Sequence, residues 1–207
     1  MSLSQDLQSE FGSIDIYLFD QLLKGRLQPG MSLLDAGCGG GRNLVYFLRH
    51  GFRVFGVDQS TEAIAQIRAL ASQLTRDHLS DMFRIEAVEQ MSFADHSFDV
   101  VISSAVLHFA RDEEHWHSMV DEMWRVLKPG GIFFARLSST VGIEEQLSPV
   151  GQRRYRMPGG HDWFLVDFEM LDQKTRSLRG DWIEPFKTVV VHNLRSMSIW
   201  CLRKHAS

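Results

Sequence analysis

Asp35, Gly37, Gly39 and Gly41 fall in DAGCGGG, at the end of a short apolar run. Glycines let the backbone approach a ligand closely, and the amides that open a following helix face it. Asp58 closes the next apolar run, 21 residues after Gly37. A carboxylate at that place accepts both hydroxyls of a ribose. A dinucleotide site asks for glycine at the sixth position counted from Gly37, and Arg42 stands there. Asp35 would repel a pyrophosphate, yet it holds a cationic amine by charge and hydrogen bonding. Together these residues describe a nucleoside ligand with an amino-acid tail.

Such a loop needs strands to carry it, and strand-like and helix-like patterns alternate along the chain. Residues 15–27 carry Ile16, Phe19, Leu22 and Leu23 in a helical stripe that Pro29-Gly30 ends. The strand 32–36 runs into the glycines, and a helix over 43–51 stops at Gly51. A second strand covers 52–58, followed by a helix over 60–74 with Ser60 as its N-cap. Strands are expected at 83–88, 98–104 and 132–138, with a helix at 113–127 and the KPGG turn at 128–131. Trp116, Met119, Val120, Met123 and Leu127 share the inward face of that helix, and Trp116 and Trp124 read as core. After a helix near 167–179, two long strands at 181–193 and 195–204 meet in a tight turn near Asn193, which only an antiparallel pair allows. The fold expected is α/β: a Rossmann-like three-layer sandwich with a seven-stranded, mostly parallel sheet and an antiparallel C-terminal strand. One domain is expected over 1–207, with 1–28 as a helical cap and the irregular stretch 139–165 as a substrate lid.

Composition excludes several function classes. Apolar residues make up 44% and charged residues 23%, which is globular and not disordered. The net charge of −4 argues against a broad nucleic-acid-binding face. Cys38 and Cys201 show no spacing for a zinc site or a disulfide framework, so no metal is expected. The N-terminal segment has no apolar core of a signal peptide, and no apolar run approaches membrane-spanning length, so a cytoplasmic setting is expected. His115 and His117 flank Trp116 and cannot share one helical face, which favours solvated side chains. His50, His78, His96 and His205 sit at turns or ends and read as surface residues. Residues 148–163 hold Arg153, Arg154, Arg156 and His161 against Asp162: an ordinary solvated loop, or a mobile lid whose arginines bind an anionic substrate. Arg136 either joins them or pairs with a nearby acid.

LLDAGCGGGRN, VFGVDQS, FADHSFDVVISSAVLHF and WRVLKPGG follow one another over about 33–135. In order and spacing they resemble the four consecutive motifs of class I S-adenosylmethionine-dependent methyltransferases. GRNLVYFLRHGFRVFGVDQS also resembles small bacterial methyltransferases of the tellurite-resistance type. The resemblance implies S-adenosylmethionine as cofactor and a small-molecule methyl acceptor. It implies that Gly37, Cys38, Gly39 and Gly41 pass under the cofactor while Asp35 organises its amine end. It implies Asp58 on the ribose, Gln59 beside the adenine, and Ser103 and Ser104 near the methionine portion. Leu107 and His108 would lie near the departing methyl group, with His108 either a catalytic acid–base or an orienting group. Tyr17 would close over the cofactor or simply pack. The acid that family members carry after the third strand is absent, since that position is Ala87. Val88 and Glu89 follow it, leaving either the Glu89 side chain or the Val88 backbone for the adenine. A non-catalytic cofactor-binding module of the same fold is the rival reading. A nicotinamide-dependent oxidoreductase is disfavoured by Arg42 and the terminal antiparallel strand.

Overall fold

The strand pattern of the sequence resolves into two apolar faces. In a strand successive side chains point to opposite sides, and here each side has its own core. Leu34, Val101 and Phe133 join one cluster with Trp116, Trp200 and Leu171. Leu33, Val100, Ile102 and Phe134 join the other with Leu18, Phe47, Ile64 and Ile67. Burial on both faces is why the strands read as continuous apolar runs.

The computed structural model describes residues 3–75, 81–192 and 194–206. The main sheet contains β1 (Ser32–Ala36), β2 (Arg53–Asp58), β3 (Phe83–Ile85), β4 (Phe98–Ser104) and β5 (Leu127–Ser138). It is completed by β9 (Gly180–Trp182), β10 (Lys187–Val191) and β11 (Arg195–Lys204). Its order is β10-β11-β5-β4-β1-β2-β3. The pairs β1 with β2 and β4, β2 with β3, and β4 with β5 are parallel. β11 runs antiparallel to β5 and β10, as the short terminal connection requires. The helices are α1 (Leu3–Phe11), α2 (Ile16–Leu23), α3 (Val45–Arg49), α4 (Thr61–Leu74), α5 (Glu113–Val126) and α6 (Phe168–Ser177). Ser60 caps α4 by accepting from the Ala63 amide, and Asp112 caps α5 by accepting from His115.

Four expectations change. The expected strand 181–193 is interrupted: β9 and β10 both pair with β11, but Pro185 between them has no N–H to give a ladder. The expected strand 83–88 ends at Ile85, because Gln90 donates to the Ala87 carbonyl and closes a turn. The stretch 139–165 is not irregular. It holds an antiparallel sheet of β6 (Ser148–Gly151), β7 (Arg154–Arg156) and β8 (Asp162–Phe164), with Gln152 and Arg153 at positive φ in its first turn. KPGG enters β5 through a register shift between Phe98 and Val100. The turn residue Asn193 and His78 lie outside the described residues.

Candidate active site

The glycine loop turns on a carbonyl. The Gly37 and Cys38 amides both donate to the Val57 carbonyl, at 2.8 and 2.9 Å, folding the chain after β1 back onto β2. Gly37 takes φ +84, and a Cβ there would stand 2.5 Å from Val106. Gly39 takes φ +51 and would project a Cβ into open space, so its bare face belongs to a cavity. Its amide donates to Asp58 Oδ2 at 2.9 Å while the Ser60 amide donates to Oδ1 at 2.9 Å. Both carboxylate oxygens are thus aimed by backbone and keep lone pairs for a ligand.

That cavity measures about 510 Å³ and lies at the C-terminal ends of β1, β2 and β4. Of the residues that the sequence reading gave to the cofactor, Gly37, Gly39, Asp58, Gln59 and Val88 line it. Glu89 lines it too. Ala105 and Val106, Phe109 and Arg111 come from the loop after β4, and His115 and Met119 from α5. Sequence reasoning missed these last residues. Met119 is core, as read, and also reaches the cavity; His115, read as solvated, stands four residues before it on the same helical face. His115 is the junction of a small network: Nδ1 accepts from the Arg111 amide at 3.1 Å, and Nε2 meets Glu89 Oε1 at 3.0 Å. His115 is therefore a half-buried wall residue and not a solvated one.

Several expected residues stand behind the wall. Asp35 is 1% exposed, its Oδ1 has no hydrogen-bond partner, and burial pushes its carboxyl up to about 7, with Arg42 opposing and Asp58 reinforcing. Arg42 reaches Ser104 Oγ at 2.8 Å. Ser103 is buried with an unpartnered hydroxyl. Cys38 sits against Gly56 in the core, where burial pushes its thiol far up, as an inert thiol should be. Gly41 serves packing: a Cβ there would strike Ile67 at 2.1 Å. Ala87 lies in the turn before Val88 and does not line the cavity.

His108 and Leu107 sit in a single 3-10 turn, Leu107–Phe109, that leaves β4. His108 is 4% exposed and lies under Trp163, ring centroids 4.3 Å apart, with Nδ1 unpartnered. Burial lowers its pKa to about 4, so the ring is uncharged at neutral pH. It does not line the cavity that holds Asp58. Tyr17 and Arg136 form a separate group: Arg136 pairs with the buried Asp15 at 2.7 Å and lies 5.7 Å from the Tyr17 ring centroid. Arg136 thus takes the acid-pairing alternative.

The lid arginines are largely spoken for. Arg153 pairs with Asp167 and Arg156 with Asp162. Arg154 reaches only the Asp162 carbonyl, at 3.3 Å, and its Nε is buried without a partner. Arg154, His161, Trp163 and Phe109 line a second cavity of about 530 Å³, and Phe109 belongs to both cavities. Among the described residues no cluster could hold a metal ion, and no helix is long and apolar enough to cross a membrane.

Residues 34–135 match the family described as a methyltransferase domain. An uncharacterized methyltransferase of Synechocystis is 34% identical over 107 residues, covering 52% of this chain and 47% of that protein. A ubiquinone biosynthesis O-methyltransferase of Cereibacter sphaeroides is 31% identical over 162 residues, covering 74% of this chain and 62% of that protein. The chain thus spans about half to three-fifths of the length of these two relatives. A solved S-adenosylmethionine-dependent methyltransferase of Methanosarcina mazei shares the fold, with TM-score 0.73 at 21% identity over 90% of this chain and 98% of that one. The glycine loop, the Asp58 carboxylate at the end of β2 and the reversed last strand agree with these findings: residues 34–135 match a methyltransferase domain, and the fold is shared with a solved S-adenosylmethionine-dependent methyltransferase.

Proposed function

We propose that this chain transfers a methyl group from S-adenosylmethionine to a small-molecule acceptor. The observation that carries the reading is Asp58, whose two oxygens are fixed by the Gly39 and Ser60 amides at the cavity wall. The residues present fit the cofactor. Asp58 would hold the ribose hydroxyls, and the bare face of Gly39 would let the ligand pass. Asp35, buried with an unpartnered oxygen, would balance the ammonium. When bound, the cofactor supplies a methyl group already activated on a sulfonium. The protein's own contribution is alignment and exclusion of water, and orientation of this kind supplies about 7–11 kcal/mol.

The acceptor would occupy the second cavity, lined by Arg154, His161 and Trp163, which shares Phe109 with the first. Trp163 and Phe109 favour a planar apolar body, while Arg154 and His161 favour an anionic group. Ion pairing at Arg153 and Arg156 narrows the earlier three-arginine reading to Arg154. His108, held uncharged under Trp163 with its buried Nδ1 unpartnered, would take a proton from an acceptor that reaches its ring. An already ionised acceptor needs no base. The relative named for ubiquinone biosynthesis supports an oxygen atom as the methylated site. The test is a cofactor-dependent screen over small hydroxyl, thiol and amine acceptors, each acid paired with its neutral amide, with product masses measured. Methylated product with acids favoured is expected. Cofactor binding without product from any class would favour the non-catalytic module.

A further inference from the structure

One side chain is common to the two cavities. Among the described residues Phe109 alone lines both the cavity of about 510 Å³ that holds Asp58 and the cavity of about 530 Å³ that holds Trp163. The backbone beneath it is fixed. The Phe109 amide donates to the Val106 carbonyl at 2.9 Å, and the Ala110 amide to the Leu107 carbonyl at 3.3 Å. Leu107, His108 and Ala110 around it are all buried. The Phe109 ring itself is 64% exposed, and its ring neighbour is His108, centroids 4.4 Å apart. His108 is in turn held under Trp163. An apolar ring thus stands on a fixed base with open space on two sides. Such a side chain is free to turn among its rotamers, and a ligand that packs on it must first order it.

The inference rests on the first cavity as the S-adenosylmethionine site and the second as the acceptor site. We infer that Phe109 couples the two. A cofactor that fills the first cavity confines the ring to the side of the second, and the acceptor then packs on a ring already ordered. The chain therefore holds its acceptor more tightly once the cofactor is in place, and Phe109 is the positioning residue that sets this preference. The coupling is reciprocal, so the acceptor tightens the cofactor by the same factor. Arg154 and Trp163 line the second cavity and not the first, so they add acceptor affinity without adding to the coupling. Direct contact between the two ligands would also couple them, but without any need for the Phe109 ring.

The experiment titrates 2-naphthoate, a planar bicyclic carboxylate, into the protein with and without saturating S-adenosylhomocysteine, by calorimetry. S-adenosylhomocysteine should tighten 2-naphthoate about three- to tenfold, about 0.7–1.4 kcal/mol. The converse titration should give the same factor. Phe109→Ala should remove the factor in both directions while each ligand still binds, and the exposed position leaves the core intact. Phe109→Tyr keeps the ring and should keep the factor. Arg154→Gln should weaken 2-naphthoate equally in both conditions and leave the factor standing. No factor in the unaltered protein, or one that survives Phe109→Ala, would overturn the coupling through Phe109. A factor lost as fully with Arg154→Gln would overturn its assignment to that ring. Binding of S-adenosylhomocysteine with none of 2-naphthoate would overturn this inference and the second cavity as a site for a planar anion, and leave the cofactor reading standing. Failure to bind S-adenosylhomocysteine would overturn the cofactor reading first.

Discussion

Asp35 and Asp58 end neighbouring strands yet play opposite electrostatic parts. Asp58 is half-exposed and receives two backbone amides, which fix both its oxygens at the cavity wall. Asp58→Ala should weaken S-adenosylhomocysteine at least tenfold, each lost charge-assisted bond being worth about 1.5–3 kcal/mol. The fold should persist, since Ser60 still caps α4, and a thermal melt alongside calorimetry checks both halves. Asp35 is buried, and its pKa lies near 7 against 3.8 in an exposed chain, chiefly through desolvation. The folded protein thus keeps a proton that the unfolded chain gives up, and stability falls as pH rises between about 4 and 7. Asp35→Asn should raise the melting temperature of the free protein at pH 8 and change it little at pH 4. A cationic amine needs the ionised form, so cofactor affinity should fall up to tenfold per pH unit below 7. Affinity that stays flat from pH 8 to 5 would contradict the ammonium role. The places of Asp58, Gly37 and Gly39 along the cavity follow the spacing of the motif. The Glu89–His115 pair was not legible, because a pair 26 apart in sequence has no periodicity to betray it.

At the scale of elements, the small sheet of β6, β7 and β8 replaces the expected loose lid. It is built from short paired segments whose arginines face acids, so charge on the page of the sequence did not mean charge free for a ligand. Replacing Arg153, Arg154 and Arg156 together with Gln should leave S-adenosylhomocysteine affinity within about threefold, because none of the three lines the cofactor cavity. The same change should raise the acceptor KM, more at low salt, where attraction is least screened. Acceptor kinetics that do not move would reduce the sheet to a structural cover. A second element-scale device is Glu184, 5% exposed, which gathers Lys24, Arg26 and Lys187 and so ties the end of α2 to the edge strand. Hydrogen bonds from Lys187, Lys24 and Arg26 outweigh desolvation and hold its pKa near 2 against 4.5. A lowered pKa stabilises the fold above the unfolded value, and the gain is lost as pH falls toward 2. Glu184→Gln should cost about 2–3 kcal/mol at pH 7, with partly solvated cations limiting the loss. That difference should shrink below pH 4, as denaturation at several pH values would show. This latch was invisible in sequence, since Lys24 and Arg26 stand 160 and 158 residues from Glu184.

Across the whole molecule, alternation of apolar runs was enough to predict the sheet and its reversed last strand. Burial on both faces leaves that pattern in sequence, and a hairpin-length connection leaves its direction. What escaped was set by single residues acting across distance: Pro185 breaking the edge strand, and His115 turning from α5 into the cavity. The same frame separates duties. The ends of β1, β2 and β4 carry the wall of the first cavity, and the appended sheet lines the second, with Phe109 lining both. The central claim is that the cavity at those strand ends is a site for an adenosyl amino acid and not for a dinucleotide. Calorimetric titration of the purified protein with S-adenosylhomocysteine, and separately with NAD, tests it most directly. One molecule of S-adenosylhomocysteine bound per chain and no heat from NAD is the predicted result. Saturable binding of NAD with no response to S-adenosylhomocysteine would contradict it.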